Sequence, residues 1–298
     1  MRYDSHHSLR HQKCGICIAV LVLLTLTSCG GGSSTPFPEP PPPVPVTTYS
    51  NPLMASISSG GRVESCADPS IIRSQADGVW YVYCTGDPLN DQDKDSAGNW
   101  RFRGMPILKS SDLSTWTYAA DVFSAKPYWV AANGGLWAPA IKYFNGQYYL
   151  YYAASATNLA GGGSAIGVAI SPSPTGPWSD SGAAVVEPGT RATIDPEVIE
   201  DNGQKYIYYG SFDGGIHVRA LSPDGLHSDP ASDKQIALAG RYEAANVVKH
   251  GSYYYLFVSA SNCCNGPLSG YSVFVGRSAS PLGPFVDKDG VSFLSSRI

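Results

Sequence analysis

Three acidic residues stand at the starts of short apolar segments that resemble one another. Asp68 begins Asp-Pro-Ser-Ile-Ile, Asp195 begins Asp-Pro-Glu-Val-Ile, and Glu243 begins Glu-Ala-Ala-Asn-Val-Val. A single acid there usually caps a strand, but three acids at the same position of repeated units indicate a shared site. Paired carboxyl groups can hydrolyse a glycosidic bond, because one protonates the leaving oxygen and the other activates water or attacks carbon. A third acid beside the proton donor raises the donor's pKa by like-charge repulsion.

The acids belong to a repeat marked by tyrosine-rich segments that recur roughly 50 to 70 residues apart. The segments are 81–83, 148–152, 206–209 and 253–257. Each follows a turn signal, at Asp77-Gly78, Asn145-Gly146, Asn202-Gly203 and His250-Gly251. Aromatic and β-branched residues favour strands, and Asn-Gly or Asp-Gly favours a tight hairpin. Each unit therefore predicts one strand before its turn, the tyrosine-rich strand after it, and a third strand that ends in serine. A fourth strand is predicted near Trp116 and Val185 in two of the units.

Strand, turn, strand, loop and strand at this period, with no convincing helix, predict the blades of an all-β propeller. A β-sandwich or a solenoid is the alternative. The first strand of each propeller blade lines the central channel. Asp68, Asp195 and Glu243 are therefore expected to meet around one channel mouth.

The composition excludes several other classes of protein. A net charge of −4 gives no electrostatic case for binding nucleic acid. No Gly-x-Ser-x-Gly motif is present, so serine esterase chemistry has no support. His217, His227 and His250 show no metal-ligand spacing and are interpreted as turn or surface residues.

The N-terminal segment carries the signals of export. Two basic residues precede an apolar run that is too short to span a bilayer and that ends in Leu-Thr-Ser-Cys at Cys29. Residues 1–29 are therefore interpreted as a lipoprotein signal peptide, with Cys29 as the lipidated residue. A Gly/Ser/Pro-rich linker, 30–48, follows and precedes a single domain, 49–298. The prediction is a bacterial lipoprotein of the outer membrane, cell surface or periplasm that touches membrane only through its anchor; an ordinary secreted protein is the alternative.

Four cysteines remain in the predicted domain, an even number that fits an oxidising compartment. Cys66 flanks one candidate strand and Cys84 ends the next, so these two could form a disulfide. The adjacent Cys263 and Cys264 could form only a strained ring, or they could be buried thiols.

The motifs around the acids resemble those of glycoside hydrolase family 43, over about residues 60–298. The motifs are Ala67-Asp68-Pro69-Ser70-Ile71, Trp137-Ala138-Pro139, Ile194-Asp195-Pro196 and the Glu243 segment before 253–259. Gly210-Ser211-Phe212, and the stretch from Val258 through the paired cysteines to Ser278, are most similar to the endo-1,5-α-L-arabinanase branch. The resemblance implies a five-bladed propeller that acts on arabinan, arabinoxylan or xylan side chains in plant cell walls.

The resemblance also assigns roles to individual residues. It implies that Asp68 is the general base, Glu243 the general acid and Asp195 the residue that modulates the acid's pKa, with inversion at the anomeric carbon. Trp137 is expected to stack on the sugar. Three further residues are candidate substrate contacts, with plain blade packing as the alternative: Thr193, Ser211 and Phe212.

The sequence contains four of the family's five units, so we expect about four blades. The resemblance implies Ca²⁺ in the central channel, but the family's histidine ligand belongs to the fifth unit. No other cofactor is expected. The expected partners are arabinan or arabinoxylan oligosaccharides, and the expected state is a monomer. Two alternatives remain for the function: an exo-acting α-L-arabinofuranosidase or β-xylosidase of the same family, and a carbohydrate-binding propeller without activity.

Overall fold

The computed structural model describes residues 54–261, 263, 265 and 268–296. The predicted signal peptide, the lipidated Cys29 and the linker 30–48 lie outside the described residues. Strands make up most of the regular structure of this part of the chain, which also contains a 3-10 turn at Pro230–Ser232. None of the described segments forms a helix with the length and apolar character needed to span a membrane.

The first two blades follow the predicted repeat. Blade one is a six-stranded sheet in the order β2-β1-β6-β5-β4-β3. Its strands are β1 (Ala55–Ser56), β2 (Arg62–Val63), β3 (Ser70–Arg73), β4 (Trp80–Tyr83), β5 (Pro106–Ser110) and β6 (Thr117–Asp121). Blade two has the order β10-β9-β8-β7. Its strands are β7 (Leu136–Phe144), β8 (Gln147–Ala154), β9 (Ala165–Ser171) and β10 (Ser179–Asp180).

The next two blades repeat the same antiparallel hairpins. Blade three has the order β11-β12-β13-β14 and blade four the order β15-β16-β17. Blade three consists of β11 (Ile194–Asp201), β12 (Gln204–Ser211), β13 (Gly215–Leu221) and β14 (Lys234–Ala237). Blade four consists of β15 (Tyr242–His250), β16 (Tyr253–Ala260) and β17 (Ser272–Ser278). The prediction of an all-β propeller with four blades is confirmed, and the fourth strand near Trp116 is β6. The fourth strand predicted near Val185 instead lies earlier, as β10, while Val186 forms an isolated bridge with Ile166.

The hairpin turns have the conformation that their residues predict. Asn145 and Gly146 have φ values of 54° and 74°, and Asn202 and Gly203 have values of 49° and 81°. Two successive positive φ angles define the turn whose twist matches that of paired strands, and Asn and Gly adopt it at least cost. These turns fix which tyrosine-rich residues face which neighbouring blade.

Three hydrophobic cores lie between successive blades. Tyr83 packs in the core between blades one and two, Tyr151 in the core between two and three, and Tyr208 in the core between three and four. These tyrosines occupy equivalent places, opposite Ser70, Ala140 and Glu197 on the first strands. Blade four has Phe257 at the corresponding place, opposite Asn246.

The three equivalent tyrosines explain why the repeat is rich in this residue. Each hydroxyl donates a hydrogen bond to a backbone carbonyl in the outer turn of the next blade. The bonds run from Tyr83 to Pro174 at 2.7 Å, Tyr151 to Gly225 at 2.8 Å and Tyr208 to Pro281 at 2.8 Å. A buried tyrosine needs such a partner, and each bond contributes about 1 kcal/mol net. The repeated tyrosine therefore joins each blade to the next by an apolar ring and one polar contact.

A disulfide bond joins Cys66, two residues before Asp68, to Cys84, the residue after β4 in blade one. Cys66 and Cys84 are bonded across 18 residues of sequence, and Cys84 is fully buried. The pairing left open by the sequence is confirmed. Cys263 is also disulfide-bonded, whereas Cys264 lies outside the described residues.

Candidate active site

The first strands of blades two, three and four share a β-bulge next to the channel mouth. In blade three the pairing passes from Ile194 opposite Gly210 to Glu197 opposite Tyr208, so two residues stand opposite one. Blades two and four show the same shift after Trp137 and after Glu243. Such bulges re-aim side chains and are frequent next to active sites.

The first bulge residue has a positive φ in blades two, three and four, and so does Asp68 at the equivalent position of blade one, two residues before β3. The angles are 49° for Asp68, 46° for Ala138, 53° for Asp195 and 55° for Ala244. Residues other than glycine rarely adopt this conformation. Four repeats of the same strained position around one mouth indicate a functional site, because such strain persists only where the surrounding structure enforces it.

The bulges correct one expectation from the sequence. Asp68 and Asp195 occupy the first bulge position, but Ala244 occupies it in blade four. Glu243 stands one residue earlier, at the place that Trp137 takes in blade two. The three acids are therefore not at the same position of the repeat: two aim from the bulge, and the third aims from the strand just before it.

Asp195 nevertheless interacts with both of the other acids. Asp68 and Asp195 line one cavity of about 140 Å³ at the bulges. The charges of both Asp68 and Glu243 raise the pKa of Asp195. The backbone N–H of Ala244, the residue after Glu243, donates to Asp195 Oδ2 at 3.1 Å. Asp68 and Asp195 therefore meet at this cavity, and Ala244, the neighbour of Glu243, forms part of its wall.

The surroundings of Asp195 favour its protonated form near neutral pH. Burial is the largest cause, followed by the charges of Asp68 and Glu243, and together they raise the pKa of Asp195 to about 7. The hydrogen bond from Ala244 opposes this shift only in part. Like-charge repulsion at this mouth therefore acts on Asp195.

Asp68 is exposed, and its carboxylate is oriented by a buried threonine. Thr85 Oγ1 donates to Asp68 Oδ2 at 2.6 Å and accepts from the backbone N–H of Ala138 at 2.9 Å. One hydroxyl thus links the base candidate in blade one to the bulge of blade two. Sequence reasoning missed Thr85, although it directly follows Cys84 at the end of a predicted strand.

Replacing Thr85 with valine should weaken both the site and the fold. Valine keeps the shape of the side chain but leaves the Ala138 N–H without its partner, which costs about 1–3 kcal/mol of stability. We expect turnover of the substrate to fall about tenfold, because the Asp68 carboxylate loses its orienting bond. Urea unfolding and steady-state kinetics measure the two effects. The control is Thr157→Val, since Thr157 is also buried but its hydroxyl has no hydrogen-bond partner in the described part of the chain; equal losses in both variants would contradict the assigned role.

Glu243 is partly buried and is held by a tyrosine. Tyr271 donates its hydroxyl proton to Glu243 Oε1 at 2.9 Å. Glu243 also lines a cavity of about 900 Å³ together with Phe212, Arg241 and Phe274. The acid thus opens onto a space large enough for sugar units.

The four predicted sugar contacts fall into two groups. Trp137 and Phe212 are 42% and 43% exposed, so their rings are open to a ligand. Thr193 and Ser211 are buried. The Thr193 N–H donates to Ser164 Oγ at 2.7 Å, and Ser211 Oγ accepts from the Gly214 N–H at 3.2 Å. Thr193 and Ser211 therefore stabilise loops beside the mouth. Thr193 also lines a neighbouring cavity.

That neighbouring cavity, of about 310 Å³, overturns the interpretation of His217 as a turn or surface residue. His217 lies within β13 and is only 6% exposed. Its Nδ1 contacts Asp233 Oδ1 at 2.6 Å, and Arg219 Nε donates to the same carboxylate at 2.7 Å. Pairing with a carboxylate offsets the free-energy cost of burying the polar imidazole ring of His217 within a strand.

The residues present do not fit the Ca²⁺ that the family resemblance implies. Within the described ranges, no three His, Cys, Asp or Glu side chains converge closely enough to hold a metal ion. Glu197 lines the bulge cavity, but Lys142 Nζ already pairs with its Oε1 at 2.7 Å.

A propeller whose channel mouth gathers three interacting carboxylates, beside exposed aromatic rings, has the framework of a glycosidase. The chain belongs to Glycosyl hydrolases family 43, whose sequence model matches residues 62–297.

Proteins similar to this chain act on arabinan. The chain is 35% identical to the extracellular endo-α-(1→5)-L-arabinanase 1 of Bacillus subtilis over 250 residues, covering 79% of this chain and 72% of that protein. It is 31% identical to the extracellular exo-α-(1→5)-L-arabinofuranosidase of Cellvibrio japonicus over 266 residues, covering 80% and 71%. The solved Cellvibrio cellulosa α-L-arabinanase complexed with arabinohexaose superposes with a TM-score of 0.64 at 30% identity, covering 78% of this chain and 76% of that one.

Proposed function

We propose that this protein hydrolyses α-1,5-linked L-arabinan of plant cell walls and inverts the configuration at the anomeric carbon. The observation that carries the proposal is the convergence of Asp68 and Asp195 on one cavity, where the backbone N–H of Ala244, next to Glu243, donates to Asp195. The similarity to arabinanases from two bacterial sources supports the choice of substrate.

Each acid has a distinct task in the proposed reaction. Asp68 is exposed, so a water molecule can approach it and lose a proton to its carboxylate as the oxygen attacks C1. Glu243 protonates the glycosidic oxygen, which takes the electron pair of the breaking C1–O bond. Asp195 carries a proton of its own near neutral pH, so it can donate a hydrogen bond to the sugar ring between the other two. Trp137 stacks on the apolar face of the arabinose.

An exo-acting enzyme is the second candidate. It is favoured by the 31% identity to an exo-acting arabinofuranosidase, which is close to the identity with the endo-acting relative. A carbohydrate-binding propeller without activity has less support, because a binding surface has no use for an acid whose pKa is raised to about 7.

Incubation of the full chain with linear α-1,5-arabinan tests the proposal. We expect a rapid fall in polymer length with oligosaccharide products, and proton NMR of the first products should show inverted anomers. Release of arabinose alone would favour the exo-acting candidate. Binding of arabino-oligosaccharides by calorimetry without any product would establish the binding protein and overturn the enzyme.

We propose further that the protein is a monomeric lipoprotein of the outer membrane or cell surface, anchored by Cys29, and that arabinoxylan oligosaccharides are a second ligand class. The support for the anchor is the apolar run that ends at Cys29, followed by a Gly/Ser/Pro-rich linker. Labelling with a clickable palmitate in the native bacterium, with Cys29→Ser as control, tests the anchor.

A further inference from the structure

The hydroxyl group that donates a hydrogen bond to the Glu243 carboxyl group belongs to Tyr271. Tyr271 directly precedes β17, and its hydroxyl reaches Glu243 on β15, across the width of blade four. Ser259 on the intervening strand β16 pairs with Glu243 on one side and with Val273 on the other. The Tyr271 hydroxyl therefore reaches over the intervening strand to end on Oε1 of the acid.

The direction of the contact is fixed by chemistry. Burial is the largest cause that raises the pKa of Tyr271, and the contact with Glu243 raises it further, so the phenol keeps its proton. In the structure Tyr271 donates and Glu243 Oε1 accepts, and once Glu243 is a carboxylate this is the only possible direction. A protonated carboxyl group has one carbonyl oxygen that accepts and one hydroxyl oxygen that donates. A donor at Oε1 therefore favours the form of Glu243 with its proton on Oε2.

We propose that Tyr271 is a positioning residue that fixes the acidic proton of Glu243 on Oε2, an inference that rests on the proposed function. As the C1–O bond breaks, the Oε2 proton moves to the glycosidic oxygen, and the water that attacks C1 passes its proton to Asp68. Glu243 becomes a carboxylate at that moment. The bond from Tyr271 then becomes charge-assisted, and such bonds are about twice as strong as neutral ones. It therefore stabilises the transition state more than the bound substrate, and its loss should appear in kcat.

This inference can be tested with two substrates, one whose hydrolysis needs general-acid catalysis and one whose hydrolysis does not. Arabinohexaose has a sugar leaving group that must be protonated, whereas 2,4-dinitrophenyl α-1,5-arabinotrioside has a leaving group that departs without help. For Tyr271→Phe we expect kcat on arabinohexaose to fall about 10- to 100-fold with KM changed less than about threefold. On the activated glycoside we expect kcat to fall less than about threefold.

The matched control is Tyr253→Phe. Tyr253 lies in the same sheet and is 40% exposed, compared with 41% for Tyr271, but its ring packs against Arg277 rather than an acid. This control should change neither kcat. Equal losses on both substrates, or a loss confined to KM, would show that Tyr271 shapes the fold or binds sugar, and would overturn the inference. A wild-type protein inactive on both substrates overturns the proposed function and the inference together, whereas an active wild type with an unaffected Tyr271→Phe overturns the inference alone.

Discussion

Asp68→Asn should abolish hydrolysis of both an unactivated and an activated arabinoside, whereas Glu243→Gln should abolish only the former. The base is needed for water to attack whatever the leaving group, but the acid is needed only when the leaving group is poor. General acid and base groups each contribute about 10²–10⁴-fold to the rate. We therefore expect Asp68→Asn to lose about 10³-fold on both arabinohexaose and 2,4-dinitrophenyl α-1,5-arabinotrioside. Glu243→Gln should lose about 10³-fold on arabinohexaose and less than about tenfold on the activated glycoside.

Steady-state kinetics on the two substrates measure these ratios. Glu64→Gln is the control, because Glu64 is an exposed acid on blade one that lines neither the bulge cavity nor the cavity at Glu243. If Asp68→Asn and Glu243→Gln lost activity in the same ratio on both substrates, the division of roles between base and acid would be wrong. If both kept wild-type rates, the site itself would lie elsewhere.

Asp195→Asn should make the protein inactive and, at alkaline pH, more stable. The pKa of Asp195 is about 7 in the fold and 3.8 as an isolated group. Between these two values the folded chain holds a proton that the unfolded chain has released. Stability is therefore fully present below about pH 4, falls as the pH rises, and is lowest above about pH 7. The three-unit shift corresponds to roughly 4 kcal/mol at most.

Asparagine keeps the shape and the acceptor oxygen for the Ala244 N–H but cannot ionise. Chemical denaturation should therefore show no difference between variant and wild type at pH 4, and a gain of about 2–4 kcal/mol for the variant at pH 8. Asp77→Asn is a control of opposite sign, since hydrogen bonds from the Ser74 side chain and the Val79 backbone lower the pKa of Asp77. That variant should lose stability at neutral pH. Parallel curves for Asp195→Asn and wild type from pH 4 to 8 would show that burial and the neighbouring acids do not raise the pKa of Asp195.

Short-range sequence patterns were sufficient to predict most of the fold. Asn145-Gly146 predicts its turn because two adjacent residues determine the backbone angles, and the tyrosine-rich strands follow from short-range preferences. The cores between blades then follow from the period of the repeat. The acids were found for the same reason, since a carboxylate at the start of an apolar strand is unusual enough to be noticed in the sequence alone.

The site residues that sequence reasoning missed depend on partners distant in the chain. Thr85 became visible only when its hydroxyl was seen between Asp68 and the Ala138 N–H, 53 residues further along. Tyr271 contacts Glu243 across two strand pairings. The one-residue offset of Glu243 was not predicted. A bulge interrupts the alternation of side chains along a strand, and no residue type marks the position of a bulge. His217 was misplaced because its partner, Asp233, belongs to the segment leading into the next strand.

The positive-φ position that the four blades share, which lies in a bulge in blades two to four, separates the reactive groups of the mouth from the packing between blades. Each first strand turns its bulge residue toward the axis and gives its later residues, such as Val198 and Val247, to the hydrophobic layers between blades. A change at Ala138 or Ala244 alters the chemical character of the mouth without removing a large side chain from those layers. The scaffold can therefore acquire or discard reactive groups one blade at a time, so that differences in specificity among proteins of this architecture need cost little in folding.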